Sequence, residues 1–407
     1  MPDTSDQWTA LDSQNERLVD AGSAPADPAA AGPQAGRHRQ RAVAAAAVAV
    51  TAAAALAAAG TLAAGPASAG VSHSQAATPK SWQTVLSLPA PPDDPAFTAV
   101  TATSRHRAWA FGNLSGTSGF PTAWRLTAAG WNLAPSPGKA GDTLAAAGAS
   151  SARNVWAFTQ QGARSRAFRW NGTSWAEDGS FTRDVGATVV LSRHDVWAFG
   201  APNSARSGLG ARHYNGHRWK RIRSGRGLNS GSALSSHSIW AAGGKKVAHW
   251  NGHRWSRRSV AAIIPPNTQF CHPAMTGIYA RSSTSVWAVG AGNCEDEIGP
   301  GFLLHYNGHR WRRAARHSAF GAPLQVVPDG NRALWIPAFT GSGGPVRMVR
   351  YSAGALRSVP MPVGARRLSL LGIAAVPHRT TAFAVGATFK RSMPGVDQAA
   401  AVFEFER

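Results

Sequence analysis

The sequence predicts an all-β fold, a seven-bladed β-propeller of four-stranded blades. Three observations predict it: a Trp-centred strand that recurs at a fixed period, Asn-Gly hairpins behind it, and two chain ends that complete each other.

The strand copies are Ala108-Trp109-Ala110-Phe111, Val155-Trp156-Ala157-Phe158, Val196-Trp197-Ala198-Phe199, Ile239-Trp240-Ala241-Ala242, Val286-Trp287-Ala288-Val289, Leu334-Trp335-Ile336-Pro337 and Ala382-Phe383-Ala384-Val385. Their spacings of 47, 41, 43, 47, 48 and 48 residues match the period of a propeller blade. A polar turn precedes many copies, as in Ser192-Arg193-His194-Asp195, and an apolar run such as Met275–Ala280 precedes the turn. After the Trp strand come a loop of varying length and a hairpin, giving four strands, A to D, from the inside outwards.

The hairpins read Trp170-Asn171-Gly172-Thr173-Ser174-Trp175, Tyr214-Asn215-Gly216-His217-Arg218-Trp219, Trp250-Asn251-Gly252-His253-Arg254-Trp255 and Tyr306-Asn307-Gly308-His309-Arg310-Trp311. Asn-Gly suits a two-residue type I′ turn, which needs φ > 0 at both central positions. Such a turn sets Tyr214 opposite His217, with Trp219 two residues on along the same face.

The last repeat has its A strand near Leu370–Ala375, its B strand at Phe383 and its C strand at Val402–Phe405, and no D strand follows. Residues 81–87 look like a D strand without the three before it. They are expected to complete the seventh blade, removing the free edges of an open array. This scheme uses 15 of the 16 Trp, all but Trp8.

The run Ser192-x-x-Asp195-Val196-Trp197-Ala198-Phe199-Gly200, with His213-Tyr214-Asn215-Gly216-His217-Arg218-Trp219 after it, resembles the repeat of secreted bacterial β-propellers related to the Kelch and galactose-oxidase group. The resemblance spans roughly residues 80–407 and implies a fold, not an activity. Galactose-oxidase chemistry would imply a copper centre with Tyr and His ligands and a Tyr–Cys cross-link. Of four Tyr, Tyr214, Tyr306 and Tyr351 fill the hairpin slot that Trp170 and Trp250 fill elsewhere. Only Tyr279, beside the cysteine-bearing hairpin, is left, so no cofactor or metal is assigned.

The N-terminal part reads as an address. Residues 1–41 form a polar leader, expected to be disordered, that ends in Arg37-His38-Arg39-Gln40-Arg41. Residues 42–64 carry no charge, and Ala67-x-Ala69 is a small-x-small cleavage pattern, so 42–69 is expected to be a signal peptide. Left uncleaved, the same stretch is long enough for a single-pass anchor. Either way the propeller, 80–407 after a linker at 70–79, is expected outside the cytoplasm, secreted or anchored.

From Gly70 onward there are 38 basic residues against 14 acidic ones, a net charge of +24. That field favours anionic partners: a cell-wall polymer, a glycan or an acidic protein. Nucleic acid has only the charge in its favour and conflicts with export. Membrane contact is expected only through 42–64.

Several residue groups invite a chemical role. Cys271 and Cys294 lie equidistant from the A–B turn of blade five, so antiparallel pairing carries them together and predicts a disulfide. Beside them Glu295, Asp296 and Glu297 form the one dense acidic run of the mature chain, a candidate ligand-binding loop whose plain alternative is a solvated loop. The pairs His213/His217, His249/His253 and His305/His309 have helical metal spacing, but across a two-residue turn they fall on opposite faces. Arg218, Arg254 and Arg310, with the bases that follow them (Lys220-Arg221, Arg257-Arg258, Arg312-Arg313), are expected on outermost strands, as edge protection or as an anion-binding belt around the ring.

Long, unequal B–C loops (112–120, 200–210, 290–301, 386–397) share one face. The expectation is an exported, non-catalytic binding or scaffold propeller using that face. The alternative is a glycan-active enzyme drawing its acid and base from Asp142, Asp184, Glu295, Asp296 and Glu297.

Overall fold

A computed structural model describes residues 81–88, 96–114, 119–200, 209–222, 227–294, 299–317, 321–330, 332–339, 346–364, 366–389 and 398–406. The segments expected to be leader, signal or anchor, and linker lie outside these residues. Among the described residues no helix is long and apolar enough to cross a membrane.

The described strands form seven antiparallel sheets. Strand β1 (Trp82–Leu88) precedes the others in the chain and belongs to the last blade. Blade one holds β2 (Ala96–Ser104), β3 (Arg107–Leu114), β4 (Phe120–Thr127) and β5 (Gly130–Ala134). Blade two holds β6 (Thr143–Ser151), β7 (Asn154–Gln161), β8 (Arg164–Trp170) and β9 (Trp175–Phe181). Blade three holds β10 (Val185–Ser192), β11 (Asp195–Gly200), β12 (Ala211–Tyr214) and β13 (Trp219–Ile222). Blade four holds β14 (Ser230–Ser235), β15 (Ser238–Gly243), β16 (Lys246–Trp250) and β17 (Trp255–Ser259). Blade five holds β18 (Cys271–Ser282), β19 (Ser285–Cys294), β20 (Gly301–Tyr306) and β21 (Trp311–His317).

In blade six the inner strand is split into β22 (Ala322–Pro323) and β23 (Val327–Pro328), both paired with β24 (Leu334–Phe339), and β25 (Val346–Ser352) and β26 (Ala355–Val359) follow. Pro323 and Pro328 lack the N–H a continuous ladder needs, which accounts for the break. Blade seven joins β27 (Arg367–Ala375), β28 (Ala382–Phe389) and β29 (Ala399–Phe405) to β1, with Trp82 opposite Phe405. The ring closes as the sequence predicts.

The apolar core is a set of seven layers, one between each pair of neighbouring blades. Each B-strand Trp is the wedge of its layer, packing on the hairpin aromatic of the next blade. Trp109 meets Trp170 at 5.2 Å, Trp156 meets Tyr214 at 5.0 Å, Trp197 meets Trp250 at 5.4 Å, and Trp240 meets Tyr306 at 5.2 Å. Trp287–Tyr351 at 5.3 Å and Trp335–Phe405 at 4.7 Å continue the series. Phe383 replaces the Trp in blade seven and meets Trp131 of blade one at 6.0 Å. Tilted and edge-to-face aromatic pairs of this kind add to the stabilisation from burial alone.

Polar side chains stitch the inner strands across the same seams. Thr98 donates to the Leu144 carbonyl, Ser232 accepts from the Ala280 N–H, and Gln325 accepts from the Ile373 N–H. Part-buried backbone groups of the inner strands thereby gain partners from the neighbouring blade.

The Asn-Gly hairpins depart from the expected two-residue turn. Tyr214 pairs with Trp219 and not with His217, so the loop holds four residues, Asn215 to Arg218. The Asn215 Oδ1 accepts from the N–H groups of His217 and Arg218 (3.3 and 3.1 Å), and its own N–H donates to the Arg218 carbonyl (3.3 Å). The side chain thus acts as a local backbone mimic, an Asx turn. Gly216 has φ +93°, while none of the four hairpin Asn residues has positive φ, which excludes type I′. A Cβ on Gly216 would also lie 2.5 Å from the His194 ring, because this hairpin packs on the A–B turn of its own blade. The turn with two adjacent positive φ values is instead Ala353-Gly354 of blade six.

Candidate functional site

Alternation along antiparallel strands places the A–B and C–D turns on one face of the ring and the B–C and D–A connections on the other. On that second face Cys271 and Cys294 pair directly across β18 and β19 and are joined as a disulfide. The bond ties the entry to blade five to the end of its second strand. It fits an oxidising, extracellular location. Glu295, Asp296 and Glu297 lie outside the described residues, as do 115–118, 201–208 and 391–397 of the long loops.

Of the other carboxylates, Asp142 lies in the connection from blade one to blade two and is fully buried. Its Oδ2 accepts from the Lys139 N–H (2.9 Å) and pairs with the Arg166 guanidinium, which also approaches Glu177 at 3.6 Å. The hydrogen bond to Asp142 raises the Arg166 pKa above its ordinary value. A carboxylate so engaged holds a loop in place. Asp184 lies in the next connection, from blade two to blade three. Two aromatic side chains stand out on this face: Phe120, at the start of β4, is 49% exposed, and Phe270, next to Cys271, is 52% exposed.

The two members of each histidine pair sit in different elements, a C strand and a four-residue turn, and not across the expected two-residue turn. His213, His249 and His305 lie in C strands opposite the B-strand Trp and stack on it, at 4.5 Å on Trp197, 4.4 Å on Trp240 and 3.9 Å on Trp287. His217, His253 and His309 are in the four-residue turns. Each stacked ring is fixed through Nε2, by Asp195 (2.9 Å), Ser238 (3.0 Å) and Ser285 (3.1 Å) in turn. Burial lowers the pKa of His249, and burial with the charge of Arg281 lowers that of His305. In blades one, two and six an Arg takes the same place over the Trp: Arg125, Arg169 and Arg350.

The basic outer strands form an arc and not a full belt. β13, β17 and β21 of blades three to five carry Lys220, Arg221, Arg257, Arg258, Arg312 and Arg313, whereas β26 carries the single charge of Arg357, β5 and β1 carry none, and β9 carries Glu177 and Asp178. Among the described residues, no ion pair involves Lys220, Arg221, Arg257, Arg258 or Arg312. Within the arc, between blades four and five, lies a cavity of about 270 Å³ walled by Trp240, His249, Ser256, Arg258, Tyr306 and Trp311. Nothing in the linear sequence marks it, because it depends on which side chains face each other across β16 and β17.

No protein-family model and no curated relative matches the chain. Solved structures do resemble it. YCF48 bound to a D1 peptide superposes with a TM-score of 0.53 at 11% identity, covering 80% of this chain and 97% of that one. A catalytically inactive virginiamycin B lyase from Staphylococcus aureus, with quinupristin, gives 0.52 at 12% identity, covering 80% and 100%. The RRP9 WD40 repeats give 0.53 at 11% identity, covering 80% and 98%. The chain is a seven-bladed β-propeller. At these identities the likeness concerns the fold alone.

Proposed function

We propose that the chain is an exported, non-catalytic binding or scaffold propeller of the Kelch and galactose-oxidase-like group, working at the cell envelope through its long-loop face. The observation that carries it is the exposure of Phe120 and Phe270 on that face, the second held beside the Cys271–Cys294 bond. Exposed aromatics on a rigid support are what a binding surface needs, since little side-chain freedom is lost on contact. Among propellers of similar fold, one is bound to a peptide and others are WD40 repeats, in keeping with binding or scaffolding. The engagement of Asp142 by Arg166 and Lys139 weighs against a carboxylate-driven glycan hydrolysis.

The test is binding of the purified propeller to cell-wall, glycan and envelope-protein fractions at physiological salt. Retention by one fraction, lost in a Phe120→Ser/Phe270→Ser variant, is expected. No retention by any fraction, or retention unchanged in the variant, would overturn the assignment to this face.

A further inference from the structure

We infer that the cleft between blades four and five is a second binding site, on the rim, for the acidic sugar units of an anionic polysaccharide. It goes beyond the long-loop face and stands whether or not that face binds anything.

Strand register supplies the first reason. On blade four Trp240 faces His249, His249 faces Ser256, and Val247 faces Arg258, so these side chains share the surface turned towards blade five. The position across from the stacked His is Lys220 in blade three and Arg312 in blade five, but Ser256 in blade four. A long basic side chain at that position would occupy the space beside the imidazole. A serine leaves the space empty, and the cavity is found at that place.

Charge supplies the second. Arg258 enters from blade four and is exposed, with no acidic partner among the described residues. From blade five Arg313, on the same face of β21 as Trp311, is fixed by donating its Nε–H to the Ile263 carbonyl (2.7 Å). The arc continues on either side, so a linear polyanion crossing the outer strands meets basic groups on three successive blades.

The walls supply the third. Trp240, Tyr306 and Trp311 give apolar surface against which a sugar ring packs, while Arg258 offers donors at the edge. Among the described residues, the large exposed apolar side chains are Phe120, Leu133, Leu234 and Phe270, and none lies on the outer strands of blades three to five, as insertion into a lipid surface would require.

Heparin oligosaccharides are the probe, with neutral dextran and a DNA duplex of equal charge as comparisons, all at physiological ionic strength. Arg258→Glu is expected to weaken heparin binding at least tenfold, and Arg357→Glu, on blade six, by less than twofold. The decisive variant is Ser256→Arg, which adds a positive charge while filling the cleft. Weaker heparin binding is expected. Stronger or equal binding would show adsorption by charge alone and overturn the site. DNA bound as tightly as heparin, with the same sensitivity to Ser256→Arg, would overturn it too and assign the arc to nucleic acid. In the unmodified protein, shifts of the His249 ring resonances on titration with an acidic heparin disaccharide are expected, and their absence at saturation would also overturn the proposal. A loss confined to Phe120→Ser/Phe270→Ser would place heparin on the other face and overturn the rim site.

Discussion

Trp82, the first residue of β1, packs edge-to-face against Trp335 of blade six, with ring centroids 5.4 Å apart and planes at 69°. The contact carries the B-strand wedge through the seam where the chain closes on itself.

Replacing Trp82 with Ala is therefore expected to cost about 3–5 kcal/mol, as for other buried Trp truncations. The side chain is 2% exposed and touches Phe405 as well as Trp335. A shift of the denaturant midpoint at constant slope checks this. A loss below about 1 kcal/mol would mean that blade seven holds without its outer strand.

The Asx turns give a sharper contrast. Asn215→Ala removes the acceptor for two backbone N–H groups and is expected to cost about 1 kcal/mol, while Asn215→Asp keeps an acceptor and costs less. Gly216→Ala is expected to cost about 1–2 kcal/mol from its left-handed backbone, and to displace the His194 ring besides. Thermal melts of the three variants rank them.

Stability is expected to fall on mild acidification. His249 and His305 have pKa values below the ordinary one in the fold, because burial disfavours the imidazolium. The unfolded chain titrates near 6.5 and so binds more protons as pH drops below about 7. Stability is then fully present above that pH and is lost as pH falls towards the depressed folded values. Urea midpoints from about pH 8 to about pH 5 should drop, and a His249→Gln/His305→Gln variant should drop less. Equal slopes would assign the effect to other groups.

The disulfide closes a segment with a sequence separation of 23. Its removal in a Cys271→Ser/Cys294→Ser variant is expected to destabilise by about 3 kcal/mol. Reductant should lower the midpoint of the parent protein to that of the variant and leave the variant unchanged.

Much of this architecture is legible in the sequence because a few residues have no cheap substitute. An aromatic wedge every 41 to 48 residues, Trp in six blades and Phe383 in the seventh, marks each blade interface. Residues 81–87 can be assigned to blade seven because the last repeat ends one strand short. The Cys pair is readable from its symmetric distance to the A–B turn. The turn type is not, since Asn-Gly serves both a type I′ turn and a four-residue Asx turn, which differ in strand register and in the sign of φ at Asn215. The inner strand of blade six is hidden by Pro323 and Pro328, which erase its pattern. The cleft is illegible for another reason. Ser256 is unremarkable in the run Trp255-Ser256-Arg257-Arg258 until register sets it across from His249, where its neighbours in the ring place Lys220 and Arg312.

The pairing of β1 with β29 also fixes how the ring bears load. The two strands run antiparallel with Trp82 opposite Phe405, so the chain enters and leaves the ring at the same end of one ladder. Tension applied between the segment before Trp82 and the segment after Phe405 pulls perpendicular to the strands at that end. The hydrogen bonds then break in succession, as in a zipper, and never all together in shear. A tether attached through both ends would open the ring at low force.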